Sequence, residues 1–247
     1  MTEVHDEKAF LESLILTYGT SENPQDRLMR SLAIRTFKPF ITSHGNGLEF
    51  GCCDGYMTSL LVPLCSDLTV VDGSQTFINM AKKRVPAEVK FEHALFEEFN
   101  PDKRFDYIFA TYVLEHVSDA IGFLKHARSL LSDHGLLFIV VPNARAMSRQ
   151  IARHMGLIDD LFALTQNDMN HGHRRVYDRI SLNRDIGDAG LRQVSQGGLL
   201  LKLLADFQMD KMIEAGIIAD PQIEGLYKMG LEYPDFAGSL FSICNAE

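Results

Sequence analysis

The sequence predicts a doubly wound α/β sheet, on three observations. Apolar segments of strand length alternate with helical stretches; the first two segments close on Glu49 and Asp72 beside glycines; and 136–141 is continuously apolar, as a strand buried on both faces must be. Taken in order, 7–41 reads as two helices ahead of the sheet, broken at Gly19-Thr20-Ser21-Glu22-Asn23-Pro24, where Pro24 opens the second. Strand one covers 47–50, a helix 57–65 and strand two 68–72. The next helix starts at Ser74, whose hydroxyl suits an N-cap. Strands three, four and five fall at 89–93, 105–110 and 136–141. After Pro142 the pattern turns more helical until 192–201 and 238–244, which read as the final strands.

Bulk properties bound the function. At 247 residues the chain suits one domain with a small insertion or cap, and 46% hydrophobic content excludes disorder. A net charge of −9 argues against an extended nucleic-acid surface. Glu3, Asp6 and Glu7 stand where a signal peptide would be basic, and the run at 136–141 is too short to span a bilayer. The cysteines, two of them adjacent at Cys52-Cys53, lack disulfide or metal spacing, so reduced thiols and a cytoplasmic location are expected. No repeat, low-complexity segment or linker is evident.

The chemistry concentrates in Gly47-Leu48-Glu49-Phe50-Gly51-Cys52-Cys53-Asp54-Gly55-Tyr56 and Leu68-Thr69-Val70-Val71-Asp72. In an open α/β sheet a ligand sits at the carboxyl ends of such strands, and Gly51 and Gly55 let it approach the backbone. Asp72, 23 positions after Glu49, can accept from both hydroxyls of a ribose. A dinucleotide would need G-x-G-x-x-G, whereas here Cys53 stands between the glycines. Glu49 and Asp54 would repel phosphates but suit an amino group and a sulfonium.

The pattern E-x-G-x-x-D-G resembles motif I of the class I S-adenosylmethionine (SAM) dependent methyltransferases. Phe105-Asp106-Tyr107-Ile108 with Leu114-Glu115-His116-Val117, then Pro142-Asn143 and Gly172-His173-Arg174-Arg175-Val176-Tyr177, resembles the ubiquinone-biosynthesis-type group. Leu95-Phe96-Glu97-Glu98-Phe99 is similar to a subset of small-molecule methyltransferases. The resemblance implies a Rossmann-like seven-stranded sheet, mostly parallel with the last strand antiparallel, preceded by N-terminal helices and carrying a small helical cap. It divides the chain into helices closing over the cofactor (1–45) and a methyltransferase domain (46–247), with 144–178 and 202–236 as substrate-side cap segments.

It also implies roles. Glu49, Gly51, Cys53, Asp54 and Gly55 wrap the methionine part of SAM, Asp72 holds the ribose, and Gly73 and Ser74 lie along the ribose and adenine edge. Thr111, Tyr112 and Val113 carry backbone contacts near the amino-acid moiety, and Tyr18 or Arg27 reaches the cofactor from the N-terminal helices. Two residues depart from the family pattern. Cys53 replaces a glycine of many relatives, a strain if its φ is positive. Leu95 replaces an aspartate that accepts from the adenine amino group, leaving apolar grip by Leu95 and Phe96.

Sulfonium chemistry needs alignment and water exclusion, and a hydroxyl acceptor also needs a base near neutral pH. His116, beyond strand four, and His173, in the segment folding over substrate, are the catalytic candidates; packing beneath the cofactor and holding the Arg174-Arg175 loop are their plainer alternatives. His171-x-His173 lacks a third ligand, so no metal is expected. Arg145 and Arg149, on one helical face with Arg153, join Arg174 and Tyr177 as substrate-binding candidates for a phosphate- or carboxylate-bearing acceptor. The alternative is a solvated face paired with Asp159, Asp160 or Asp168. The segment 197–204 and the helix after it read as a cap or a homodimer surface. The expected activity is methyl transfer to oxygen, or to nitrogen, of a small molecule. An inactive SAM-binding protein, a protein- or RNA-directed enzyme, and a different SAM-fold chemistry such as decarboxylation or cyclisation are the alternatives.

Overall fold

The computed structural model describes residues 2–18 and 23–246. Helices α1 (Thr2–Tyr18) and α2 (Pro24–Phe37) precede the sheet, and the turn expected between them lies almost wholly outside the described residues. The chain then alternates through β1 (Asn46–Phe50), α3 (Tyr56–Leu61), β2 (Asp67–Asp72), α4 (Gln75–Ala81), β3 (Lys90–His93), β4 (Phe105–Thr111), α5 (Ala120–Ser129) and β5 (Leu131–Pro142). Helices α6 (Met147–His154), α7 (Gln166–Asn170) and α8 (Arg179–Asp188) lead to β6 (Arg192–Leu199). Helices α9 (Asp206–Glu214) and α10 (Asp220–Glu232) lead to β7 (Ser239–Asn245).

The strands form one seven-stranded sheet in the order β3-β2-β1-β4-β5-β7-β6. Pairings from β3 across to β5 are parallel, and β7 runs antiparallel to both its neighbours, as expected. The order reverses between β1 and β4, so their carboxyl ends open the crevice in which ligands of such sheets lie. Alternate residues feed opposite faces. Leu48, Phe50, Ile108 and Ile139 pack under α5 and α8, while Val70, Phe109, Phe138 and Val140 pack with Phe37 of α2.

Three element ends differ from expectation. Helix α3 stops at Leu61 and tightens into a 3₁₀ turn over Val62–Leu64, because Pro63 has no N–H to donate. Strand β5 begins at Leu131, ahead of its apolar run, with a register shift between the Phe105–Leu131 and Tyr107–Leu136 pairs. Strand β6 ends at Leu199 because Leu200 turns the chain with φ +55°. Leu199, Leu200 and Leu201 are buried, so these three residues belong to the core. Gly230 makes that packing close: a Cβ there would lie 2.5 Å from the Leu200 nitrogen.

Helix α1 lies across the carboxyl edge of the sheet, pinned by its side chains. Glu12 accepts from the Ser74 hydroxyl (3.1 Å) and the Thr76 amide (3.2 Å), and Lys8 pairs with Glu98 at 3.1 Å. Arg174 donates to both carboxylate oxygens of Glu7, at 2.7 and 2.9 Å. Among the described residues no helix is long and apolar enough to cross a membrane.

Candidate active site

A cavity of about 1060 Å³ opens at the carboxyl ends of β1, β2 and β4, closed on one side by Glu7, Leu11 and Leu14 of α1. Its floor begins in the turn after β1. Gly51, Cys53 and Gly55 have φ of +77°, +46° and +81°, so Cys53 holds a left-handed conformation that favours glycine. The turn aims two amides inward: Gly51 N–H donates to the Val71 carbonyl, and Cys52 N–H to Asp72 Oδ2, both at 2.8 Å. The Ser74 amide holds Asp72 Oδ1 at 2.8 Å, fixing the carboxylate at the end of β2 in the cavity wall. Burial lifts the Asp72 carboxyl above its usual range, and the Ser74 and Cys52 amides pull it back.

Leu95 and Phe96 also line the cavity, Phe96 set edge-on to Phe50 at 5.2 Å and packed on Phe123 at 5.6 Å. From β4 come Thr111, Tyr112 and Val113; Tyr112, at φ +58°, shares a hydrogen bond with the Ser239 hydroxyl at 3.0 Å. Gly73 lines the cavity directly beneath Leu11, whose Cδ1 would lie 2.4 Å from any Cβ placed there.

Glu49, Asp54, Gly55 and Ser74, also expected at the cofactor, do not line the cavity. Glu49 is fully buried within β1, neither oxygen making a hydrogen bond of good geometry, and burial pushes its carboxyl up to about 8. Asp54 accepts from the Tyr56 amide at 3.0 Å and pairs with Arg84 at 3.2 Å, turned toward the end of α4. Gly55 meets Ala81, and the Ser74 hydroxyl caps α4 by accepting from the Phe77 amide at 3.1 Å. Arg27 lies over the Tyr56 ring at 5.3 Å, and the Tyr18 side chain lies outside the described residues.

Beyond β4 the chain brings His116 and His173 together. The Arg174 amide donates to the Glu115 carbonyl at 2.8 Å, and the two imidazoles meet edge to face with centroids 4.8 Å apart. His116 bonds the Gly172 backbone, and burial pushes it down to about 3, so it is neutral near pH 7. His173 Nδ1 lies 3.2 Å from Asp168 Oδ1; an ionised carboxylate only accepts, so Nδ1 carries the proton. Burial opposes ionisation of Asp168, but hydrogen bonds from His173, Thr165 and Arg149 outweigh it and hold the carboxyl well below its usual range.

Of the arginines expected to meet substrate, Arg149 and Arg174 are engaged within the protein. Arg149 lines the cavity but donates to Asp168 (3.0 Å) and to the Leu161 and Ala163 carbonyls. Of its proposed acidic partners, Asp168 is the one it meets. Arg174 is held by Glu7, and Arg175 grips the loop after β4 through the Leu114, Val117 and Ser118 carbonyls. Arg145 and Tyr177 do not line the cavity, and the Tyr177 hydroxyl donates to buried Asp185 at 3.2 Å.

Sequence reasoning gave Glu115 no role of its own and read Asp168 only as a possible partner of the arginine face. Glu115 stood in the quoted motif beside His116, is 1% exposed, and lines the cavity. Asp168 carried a local signal in Thr165-x-x-Asp168, the capping box that opens α7.

Comparison with known proteins agrees with this architecture. A family profile described as "Methyltransferase domain" matches residues 22–196, more than half of the chain. The chain belongs to that methyltransferase family. It is 30% identical over 153 residues to a trans-aconitate 2-methyltransferase of Enterobacter sp., covering 58% of this chain and 57% of that protein. It is 32% identical over 108 residues to a ubiquinone biosynthesis O-methyltransferase of Bradyrhizobium diazoefficiens, covering 42% and 43%. The chain thus spans about half the length of the curated relatives it matches. Its fold is that of the N-methyltransferase NodS from Bradyrhizobium japonicum, solved with S-adenosyl-L-homocysteine (SAH), at a TM-score of 0.58, 17% identity, and 92% and 90% coverage. SAM is the cofactor of this family, and the β1 turn, the free edge of Asp72 and the apolar Leu95–Phe96 wall fit an amino-acid nucleoside of that kind.

Proposed function

We propose that the protein transfers a methyl group from SAM to a nucleophilic oxygen or nitrogen of a small molecule. The observation that carries this reading is Asp72, whose carboxylate two backbone amides fix in the wall of the same cavity that holds His116 and His173. On this reading Asp72 receives the ribose hydroxyls, Gly51, Cys53 and Thr111 to Val113 hold the amino-acid end, and Leu95 and Phe96 cover the base. Bound SAM supplies an electrophilic methyl group. The chain's own part is to align the acceptor, exclude water and take its proton. For a hydroxyl acceptor the last task falls to His173, with Asp168 fixing its tautomer.

Thermal unfolding with SAM, SAH, NAD and buffer alone tests the reading. Ligand at about 100 times its dissociation constant adds roughly 2.7 kcal/mol, which raises Tm by several degrees in a chain of this size. SAM and SAH are expected to shift Tm and NAD to leave it unchanged; no shift with SAM or SAH would sink the reading.

We further propose that α1 closes over the bound cofactor. Gly172, at φ +75°, lies under Leu14, whose Cδ1 would be 2.6 Å from an added Cβ. Gly172→Ala must strain the backbone or lift α1, at about 1–2 kcal/mol, a loss of about 5- to 30-fold in SAM affinity with faster proteolysis near the N-terminus. Unchanged affinity and protease resistance would show that α1 is not the closing element.

A further inference from the structure

We propose that the group received by Glu115, His116 and His173 is a primary ammonium, so that the acceptor is a small amine and its nitrogen is methylated. This rests on the methyl-transfer reading above and narrows its substrate class. Glu115 starts the argument. It is 1% exposed, lines the cavity, and neither carboxyl oxygen has a side-chain hydrogen-bond partner among the described residues. A buried acid left so is costly unless a ligand completes it.

The surrounding groups are short of donors. His173 commits its Nδ1 proton to Asp168, so that proton is not offered to Glu115. His116 is neutral and brings no positive charge. The nearby guanidinium groups are engaged elsewhere: Arg149 on Asp168, Arg174 on Glu7, and Arg175 on three carbonyls. The complement of such a cluster is a cation.

The spacing admits an ammonium. One ligating atom from each of Glu115, His116 and His173 lies within 4.8 Å of the others. A tetrahedral metal at about 2.1 Å from its ligands would need them about 3.4 Å apart. An ammonium nitrogen at a hydrogen-bond distance of about 2.9 Å takes acceptors up to about 4.7 Å apart, so a cluster bounded at 4.8 Å receives it without having to close up. The rest of the cavity agrees. Its lysine and arginine side chains each face a carboxylate: Arg30 to Asp26 at 3.6 Å, Arg149 to Asp168 at 3.0 Å, and Lys202 to Asp206 at 2.8 Å. An anionic acceptor would have to break one of these pairs.

The step balances. The ammonium gives one proton to the Glu115 carboxylate, whose carboxyl burial has pushed up to about 7, within reach of exchange with solvent at neutral pH. The neutral amine then forms the N–C bond as the S–C bond breaks. SAH leaves with the sulfur electron pair, and the Glu115 proton passes to solvent.

The test uses the full chain saturated with SAH, titrated calorimetrically with tyramine, with methylamine and longer primary alkylamines, with the matched alcohols, 4-ethylphenol and 3-phenylpropionate, and with Mn²⁺ or Zn²⁺ alone. Amines are expected to bind and the alcohols, phenol and acid not to. Glu115→Gln, an isosteric change, should weaken amine binding about tenfold to a hundredfold with SAH affinity unchanged, and His173→Ala should weaken it likewise. With SAM, tyramine should yield the N-methyl product by mass spectrometry. The proposal is overturned if no amine binds while SAH does, if phenols or acids bind instead, or if Glu115→Gln abolishes stoichiometric metal binding. It is also overturned if that variant lowers SAH affinity, since the cofactor's own amino group would then occupy the cluster. Failure of SAH itself to bind strikes the methyl-transfer reading instead.

Discussion

Asp72→Ala is expected to weaken SAM binding more than a hundredfold. The wild-type carboxylate is already oriented before any ligand arrives: the Cys52 and Ser74 amides, both at 2.8 Å, hold one oxygen each. Each oxygen keeps lone pairs for a ribose hydroxyl, and a hydrogen bond to a charged group is worth about 1.5–3 kcal/mol. Losing two such bonds removes about 3 kcal/mol or more, and every 1.4 kcal/mol is about a factor of ten. The change also strips both buried amides of their acceptor, so the variant loses intrinsic stability too. Asp72→Asn separates the effects, since it keeps the volume and one acceptor oxygen but no charge. Calorimetric titration with SAM and SAH, with ligand-free Tm measured alongside, reads both. Affinity within threefold of wild type in a folded Asp72→Ala protein would mean that the ribose lies elsewhere.

How much of this was legible in the sequence depends on whether the deciding contact is local. Asp72 was readable because an apolar run ending in an acid at a strand's carboxyl end is a pattern of adjacent residues. The left-handed Cys53 and the capping Ser74 were readable for the same reason. The carboxylates Glu49 and Asp54 look alike in the motif, yet tertiary packing separates them. Glu49 faces the sheet interior, and Asp54 turns out to Arg84 of a distant turn. Arg149 read either as substrate-binding or as paired with one of three acids, and Arg174 looked free for substrate, because the deciding partners, Asp168 and Glu7, are joined to them only by folding. Glu115 was hidden by its own motif. Its neighbour His116 attracted the chemistry, whereas the vacant hydrogen-bonding capacity of Glu115 appears only when 172–175 folds back along the loop after β4. The third member of the cluster likewise comes from that fold-back, which made His173 and not His171 the partner of His116.

Glu49→Gln is expected to change the pH dependence of stability by an amount comparable to a large core mutation. In the folded chain burial keeps the Glu49 proton until about pH 8, whereas an unfolded glutamate releases it near its ordinary value of 4.5. Between those values the folded state binds more protons than the unfolded state, so stability falls as pH rises and levels off above about 8. Each unit of that window is worth about 1.4 kcal/mol, so ionisation of Glu49 removes on the order of 3–5 kcal/mol by pH 9. Glu115, raised in the same direction to about 7, adds a slope of the same sign in both proteins, so the difference between wild type and variant isolates Glu49. Glutamine leaves an amide with imperfect partners at pH 5, where the variant should be slightly less stable, by about 1–2 kcal/mol. The curves should then cross, with the variant the more stable at pH 9. Urea unfolding of the ligand-free chain at pH 5, 7 and 9 gives the comparison. Parallel curves would mean that Glu49 ionises like a solvated carboxylate, and that the core of β1 admits water or a counter-charge beside it.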